Sequence, residues 1–295
     1  MAQEWLEREL NNIVFLGFGT VTKYIVKQIK NLYSCNVSII TDHIIPDCFD
    51  DVTFYTYRDF DPEVLKEINF VFVSWKDLGE EKAIFYNKIQ KYFSSNCKVI
   101  YLSSASIYGP GELLSASFSP PSPINAYGNN KLEIENLLIQ YAVQELIILR
   151  IGNLYGVPGT NDFINLVYRN IIHGEKLVLE NMGNCIRDYV QIGDLVHILL
   201  KILKRNYIKV DSENVTFVDI GTGVGTSNLS LTATIEMLTG MKTTSVEFSN
   251  PVKDTITVSY QNPTKARLMF GLDFQSLLQG LIVFQDTYFL PGTFS

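Results

Sequence analysis

Cysteine is scarce and unpatterned in this chain. Cys35, Cys48, Cys97 and Cys185 are the four in 295 residues, with no CxxC spacing among them, which excludes a zinc ribbon and a disulfide framework as organising devices. The three histidines, His43, His173 and His197, are equally dispersed. His197 falls in an apolar helical stretch, where a packed side chain is expected rather than a ligand. Basic residues are also short, 24 against 31 acidic, for a net charge of -7. That balance argues against a nucleic-acid partner recognised through general basicity, while leaving room for a local basic pocket around a phosphorylated ligand. No apolar run reaches the length of a membrane span, and Met1 to Leu10 is charged throughout without an apolar signal core. A cytoplasmic protein with no membrane partner is expected. Internal repeats and low-complexity segments are absent.

With 46% hydrophobic residues, the chain is able to bury a sizeable core in one large or two intimate domains. Ile13–Leu16 is a short apolar run ending at glycine, and Val21–Ile29 carries apolar residues at helical spacing, so strand then helix is predicted. Further strands are predicted at Val37–Thr41, Val52–Tyr57, Asn69–Ser74, Lys98–Leu102 and Leu146–Ile151. Helices are predicted at Glu80–Phe93 and Tyr127–Val143. Several strands are continuously apolar and β-branched, as in a parallel sheet covered on both faces. The pattern is a doubly wound, Rossmann-like α/β fold. After Ile151 a Gly/Pro/Asn-rich passage precedes helices at Phe163–His173 and Ile192–Leu203, and the strand at Val215–Ile220 is expected to rejoin the sheet. The division expected is a dinucleotide-binding domain over 11–152, with strand 214–221 returning to it, and a smaller, mostly substrate-binding lobe over 153–295.

Gly17-Phe18-Gly19-Thr20-Val21-Thr22 has the first two glycines of G-x-G-x-x-G, with Thr22 in the third position. The first two glycines allow a tight turn and close approach of the backbone to a pyrophosphate at a helix N-terminus, and the third serves helix packing. Asp42 follows the second strand at the spacing where a carboxylate accepts hydrogen bonds from the adenosine ribose and repels a 2′-phosphate, which favours NAD and leaves NADP open. Its alternative role is a turn or cap ahead of Pro46. Asp59 faces adenine or caps a helix. Tyr127 and Lys131 stand four apart on a predicted helix, so an ammonium beneath the phenol would favour its ionised form and make it a proton acceptor near neutral pH.

Taken together with Ser103-Ser104-Ala105-Ser106-Ile107-Tyr108-Gly109, Leu149–Gly156 and Arg187–Asp194, these motifs resemble the extended short-chain dehydrogenase/reductases, specifically the NAD-dependent nucleotide-sugar epimerase/dehydratase group. The resemblance implies a catalytic set of Ser104, Tyr127 and Lys131, with Ser103 and Ser106 as competitors of Ser104. It implies cofactor contacts from Gly17, Gly19, Thr20, Val21, Asp42, Asp59, Ser74, Tyr127 and Lys131, and substrate contacts from Ser104, Asn153 and Arg187, whose guanidinium suits a diphosphate. Asp188 is expected to orient an Arg or the backbone, Asp194 to cap a helix, and Gly221 and Gly223 to serve a turn.

Three departures narrow the chemistry. Ser74-Trp75 replaces the group's Ala-Ala, Ala105 and Ser106 replace the dehydratases' Asp-Glu, and Pro251-Val252-Lys253-Asp254 lacks the second phosphate-binding Arg. Elimination of water thereby loses its acid/base pair. The activity implied is a 4-epimerase acting on a nucleotide-diphosphate sugar through a 4-keto intermediate. The alternatives are an NAD(P)H-dependent 4-keto-sugar reductase and a catalytically silent dinucleotide-binding sensor or scaffold. The resemblance further implies a homodimer.

Overall fold

A computed structural model of the protein describes residues 12–42, 49, 51–61, 63, 67–111, 119–142, 144–250 and 253–288. The Met1 to Leu10 stretch, His43, Pro46, Cys48, Val143, Pro251 and Val252 lie outside the described residues.

The elements run β1 (Asn12–Leu16), α1 (Thr20–Leu32), β2 (Asn36–Ile40), β3 (Val52–Tyr55), β4 (Ile68–Val73), α2 (Glu80–Ile89), β5 (Phe93–Ser104), α3 (Ala126–Gln140) and β6 (Glu145–Ile151). There follow β7 (Asn153–Tyr155), α4 (Phe163–His173), β8 (Leu177–Leu179), β9 (Ile186–Arg187), β10 (Tyr189–Gln191), α5 (Ile192–Leu203), β11 (Val215–Ile220), β12 (Thr226–Ser227) and α6 (Asn228–Thr239). The described chain closes with β13 (Val246–Phe248), β14 (Val258–Ser259), α7 (Thr264–Phe270) and α8 (Leu277–Tyr288).

Seven strands form the central sheet in the order β11-β6-β5-β4-β1-β2-β3. The doubly wound fold is therefore present, and Val215–Ile220 rejoins the sheet at its edge. β1 lies between β2 and β4, parallel to both, so the chain reverses its direction of travel across the sheet there. Ligands of such sheets settle in the crevice beyond the strand ends at that reversal. Gly17 and Ser74 are the residues that follow β1 and β4.

By Cα proximity the chain divides into two compact units. One holds the described residues up to Ser103 together with Asn129–Arg150 and Ile198–Val218; the other holds Ser104–Gly128, Ile151–His197 and the residues from Asp219 onward. The division falls within α3, and the first unit takes in Val215–Val218 from beyond residue 152. In the first unit Val14, Leu16, Val71, Val73, Tyr101, Ile134 and Leu138 belong to one buried cluster. In the second, Tyr155, Val167, Tyr168, Leu231, Leu281 and Phe284 belong to another.

Several boundaries depart from the periodicity. The helix predicted to Phe93 ends as an α-helix at Ile89 and tightens to a 3-10 turn over Gln90–Tyr92. Phe93 instead opens β5, which is longer than predicted because Phe93 pairs with Ile68 ahead of an irregularity, after which Phe70 pairs with Lys98. The third strand stops at Tyr55, where Thr56 starts a turn by donating its hydroxyl to Asp59 at 2.7 Å. His197 is exposed, not packed, because it lies on the open side of α5 while Val196 and Ile198 are buried. Cys35, Cys97 and Cys185 are free and buried. Among the described residues no helix is long and apolar enough to cross a membrane, and no group of His, Cys, Asp or Glu is placed to hold a metal ion.

Candidate active site

The first unit carries the candidate dinucleotide turn. Gly17 has φ +96°, and an added Cβ would stand 3.0 Å from Ser74 Oγ and 3.2 Å from Trp75 Cδ1. Both its conformation and its surroundings therefore require glycine. Gly19 is the N-cap of α1 with no side-chain cap, and an added Cβ there would meet nothing within 4 Å. The first N–H groups of α1 therefore have no side-chain cap from Gly19, and a helix N-terminus is the kind of place where an anionic pyrophosphate binds. Thr20 and Val21 form that first turn.

Thr22, in the third glycine's position, is buried and donates its hydroxyl to Ser74 Oγ at 3.0 Å. Ser74 Oγ in turn lies 3.1 Å from Gly17 O and 3.3 Å from Leu16 O. The two departures at positions 22 and 74 are therefore one feature: a hydroxyl pair that ties α1 and β4 to the turn. Trp75 is buried, and its indole N–H donates to the Tyr57 hydroxyl.

Asp42, beyond β2, lies 3.3 Å from Lys82 Nζ, which also meets Asp77 at 2.7 Å. Asp59 is exposed and held in its own turn, accepting from the Thr56 hydroxyl while its N–H donates back to Thr56 Oγ1.

The second unit contains a cavity of about 470 Å³, within the range of ligand pockets. Its lining includes Ser104, Ser106, Tyr127, Asn153 and Arg187, so one cavity gathers four of the sequence-predicted residues from separate segments. Ser104 ends β5 and accepts from Ser106 N at 3.2 Å and from Ser106 Oγ at 3.0 Å. Ser103 donates to buried Glu135, while Ser106 is in the cavity lining with Ser104.

Tyr127 reaches this wall because α3 starts close against it. Asn125 Oδ1 caps the helix by accepting from Gly128 N at 2.9 Å. A Cβ on Gly128 would stand 2.6 Å from Ser106 O, so only glycine permits that approach. Tyr127 is 48% exposed on the cavity side, yet the chain crowds its other sides. Desolvation raises its pKa above the ordinary phenol value, and a hydrogen bond with Ser104 opposes the rise. The expected lowering of the phenol pKa is thus not the ligand-free condition.

Lys131, one turn along the helix, is 4% exposed and donates to Trp75 O at 2.8 Å and Leu102 O at 2.9 Å. Burial lowers its pKa to about 8, with Glu135 raising it and Lys76 lowering it further. The ammonium is held by these backbone carbonyls.

Arg187 donates Nη1 to Ile186 O at 2.9 Å and to Thr257 O at 3.3 Å, and Nη2 to Ile256 O. A guanidinium carries five N–H donors, so these bonds fix the fork without exhausting it. Asp188 is fully buried and receives Thr222 N at 2.9 Å, Thr222 Oγ1 at 2.6 Å, Gly223 N at 3.0 Å and Gln261 N at 3.2 Å. It orients backbone, as expected, and Gly221 and Gly223 serve that turn. Asp194 does not cap its own helix: it accepts from Gln275 N at 3.0 Å and Gln275 Nε2 at 3.1 Å, because a carboxylate in the first turn is free to receive N–H groups from the segment before α8.

Glu180 and Asp254 also line the cavity and were not anticipated. Asp254 closes the Pro251–Asp254 segment, where a basic residue was sought, and has φ +65°. Glu180 carried no motif signal. Gly128 was legible in principle, as a glycine inside a helical pattern.

Residues 83–215 match the family model described as NAD dependent epimerase/dehydratase family. UDP-glucose 4-epimerase 1 of Oryza sativa subsp. japonica is 27% identical over 169 residues, 49% of this chain and 48% of that protein. The chain spans about half the length, or less, of the curated relatives it matches. Among solved structures, MoeE5 in complex with UDP-glucuronic acid and NAD has a TM-score of 0.78 at 20% identity, covering 94% of this chain and 99% of that one. UDP-glucuronic acid 4-epimerase from Bacillus cereus, in complex with UDP-glucuronic acid and NAD, has a TM-score of 0.75 at 18% identity, covering 94% and 98%. The chain shares the fold of those structures, and its residues 83–215, a little under half of its length, match the NAD-dependent epimerase/dehydratase family model.

Proposed function

We propose that the protein is an NAD-dependent 4-epimerase of nucleotide-diphosphate sugars. The observation that carries this reading is the one cavity lined by Ser104, Tyr127, Asn153 and Arg187, a proton-transfer pair beside phosphate-directed donors. Gly17, Gly19 and the first turn of α1 would hold the cofactor pyrophosphate, and Asp42 its adenosine ribose. Lys82, 3.3 Å from Asp42, tempers the repulsion of a 2′-phosphate, so the preference for NAD is one of degree. When bound, the nicotinamide supplies a hydride acceptor that returns what it takes.

The chain's own residues handle the proton and the charge. The Tyr127 phenol takes the proton of the sugar hydroxyl as that carbon is oxidised and gives it back on reduction. Ser104, hydrogen-bonded to Tyr127, steadies the reacting oxygen and favours the phenolate. Lys131, as an ammonium one turn away, stabilises the same phenolate across the helix face. Arg187 and Asn153 receive the diphosphate, with the guanidinium pre-aimed by its carbonyl partners. Ala105 and Ser106 put no carboxyl group directly after Ser104, which weighs against elimination of water by an acid/base pair at those positions; the carboxyl groups of the cavity wall are those of Glu180 and Asp254. The relatives named UDP-glucose 4-epimerase support the same reading.

A panel of nucleotide sugars and their 4-keto derivatives, incubated with the protein with and without NADH, tests it by product mass and NMR. Interconversion of 4-epimers without added reductant is expected. Stoichiometric loss of NADH would make the protein a reductase, and a product lighter by one water a dehydratase. No product with any of the panel would return the silent binder.

A further inference from the structure

One helical turn beyond Lys131 the first unit buries a second charged cluster that the proposed reaction does not use. Glu135 follows Lys131 by one more helical turn, so Lys131 and Glu135 share a face of α3. Its side chain is 1% exposed. Arg150, from β6, donates Nε to Glu135 Oε1 at 3.2 Å and Nη2 to Oε2 at 2.8 Å. Ser103 Oγ donates to Oε1 at 2.5 Å. Both carboxylate oxygens are thereby engaged.

We propose that Glu135 is a positioning residue for the Tyr127/Lys131 pair: its buried carboxylate, clamped by Arg150 and Ser103, holds Lys131 in its charged form. The inference rests on the catalytic reading of that pair. Its physical basis is the cost of burying an ammonium, which drives such a group toward the neutral amine unless hydrogen bonds and an opposite charge compensate. A neutral amine could not stabilise a phenolate. The carbonyls of Trp75 and Leu102 accept from two of the ammonium's three protons, and Glu135 supplies the charge.

The other groups around Lys131 do not do this. From the chain after β4, Lys76 opposes the charged form; from β5, the Tyr101 ring lies 5.0 Å from the ammonium and offers only its π face. Tyr127 stands one turn before it on α3, and Arg150, behind Glu135 on β6, is itself a cation. Glu135 alone among the groups named here is an anion. The bidentate clamp adds geometry: Ser103 fixes the inward face of the strand end, and the next residue, Ser104, by the alternation of a strand points to the opposite face.

Removing one partner of a buried pair leaves the other uncompensated and destabilises, so stability alone would not separate a structural from a positioning role. The separating measurement is the titration of Lys131 itself, read by NMR on ligand-free protein carrying ¹³C at lysine Cε, with the Lys131 signal assigned by its loss in Lys131→Arg. In Glu135→Gln the midpoint should fall by about one unit or more, as expected for the loss of a near opposite charge. Glu135→Asp, which keeps the charge but withdraws it by one methylene, should shift it less, and the alkaline limb of turnover should move to lower pH in the same order. A Lys131 midpoint equal to wild type in folded Glu135→Gln, or in Glu135→Asp if the Gln variant does not fold, overturns the proposal. Because the titration needs neither substrate nor turnover, it is read independently of the epimerase assignment, which fails instead on the product panel.

Discussion

The candidate dinucleotide turn and the cavity around Tyr127 are built in opposite ways. The turn is made of backbone: Gly17, Gly19 and the opening of α1, drawn from one short stretch, with Ser74 as the distant support. The cavity is made of side chains from segments scattered between Ser104 and Ser259. A site of backbone is specified by the residues it must omit, chiefly Cβ atoms at Gly17. A site of side chains is specified by what each segment delivers, and each can fail alone.

The largest expected effect therefore lies in the cavity. Tyr127→Phe should lower turnover by about 10²–10⁴, the usual contribution of a general acid–base, with nucleotide-sugar affinity little changed; turnover within a fewfold of wild type would remove Tyr127 from the chemistry. Arg187→Met should raise the nucleotide-sugar dissociation constant by roughly 10- to 100-fold, the value of hydrogen bonds to charged groups. If titration calorimetry finds the constant unmoved, the diphosphate binds elsewhere. For the turn, Asp42→Ser should reduce the NAD:NADP affinity ratio by about tenfold, measured by cofactor fluorescence. An unchanged ratio would retire its ribose role.

Lys131 carries a pH signature with a definite sign. Its folded pKa, about 8, lies below the unfolded value near 10.4, so between those values the unfolded chain binds more protons and the group's contribution to stability rises with pH. Lys131→Met should abolish that contribution. The stability of wild type relative to the variant should increase from pH 8 to pH 10 in denaturant titrations, and a flat difference would mean the lysine is not desolvated. The smallest effect belongs to the turn's hydroxyl pair. Thr22→Gly and Ser74→Ala, combined in a double-mutant cycle, should couple by about 0.5–1.5 kcal/mol; strict additivity would mean that their hydrogen bond contributes nothing.

The same contrast explains what the sequence could convey. Strand and helix identities along the central sheet follow from apolar runs and spacing, and the positions of Ser104, Tyr127, Asn153 and Arg187 follow from contiguous motifs. Convergence on one cavity is a tertiary fact, and so is the partner of each polar group. Asp194 sits where a cap would, yet its acceptors meet Gln275, a residue 81 positions away. Asp59 is held in a turn by the Thr56 hydroxyl beside it, a partner that its spacing from the strand did not indicate. His197 was assigned to the wrong side of its helix because its neighbours are apolar on both sides in sequence. Glu180 belongs to no motif, and nothing short of the folded chain brings it to the cavity.

The Thr22 to Ser74 hydrogen bond also bears on how relatives of this protein are found. A pattern demanding glycine at position 22 rejects the chain, and one demanding alanine at position 74 rejects it a second time. Treated separately these are two defects in a fingerprint. Treated as a linked substitution they are a single alternative solution, and a search allowing hydroxyl residues at both places together would collect sequences that each one-position rule discards.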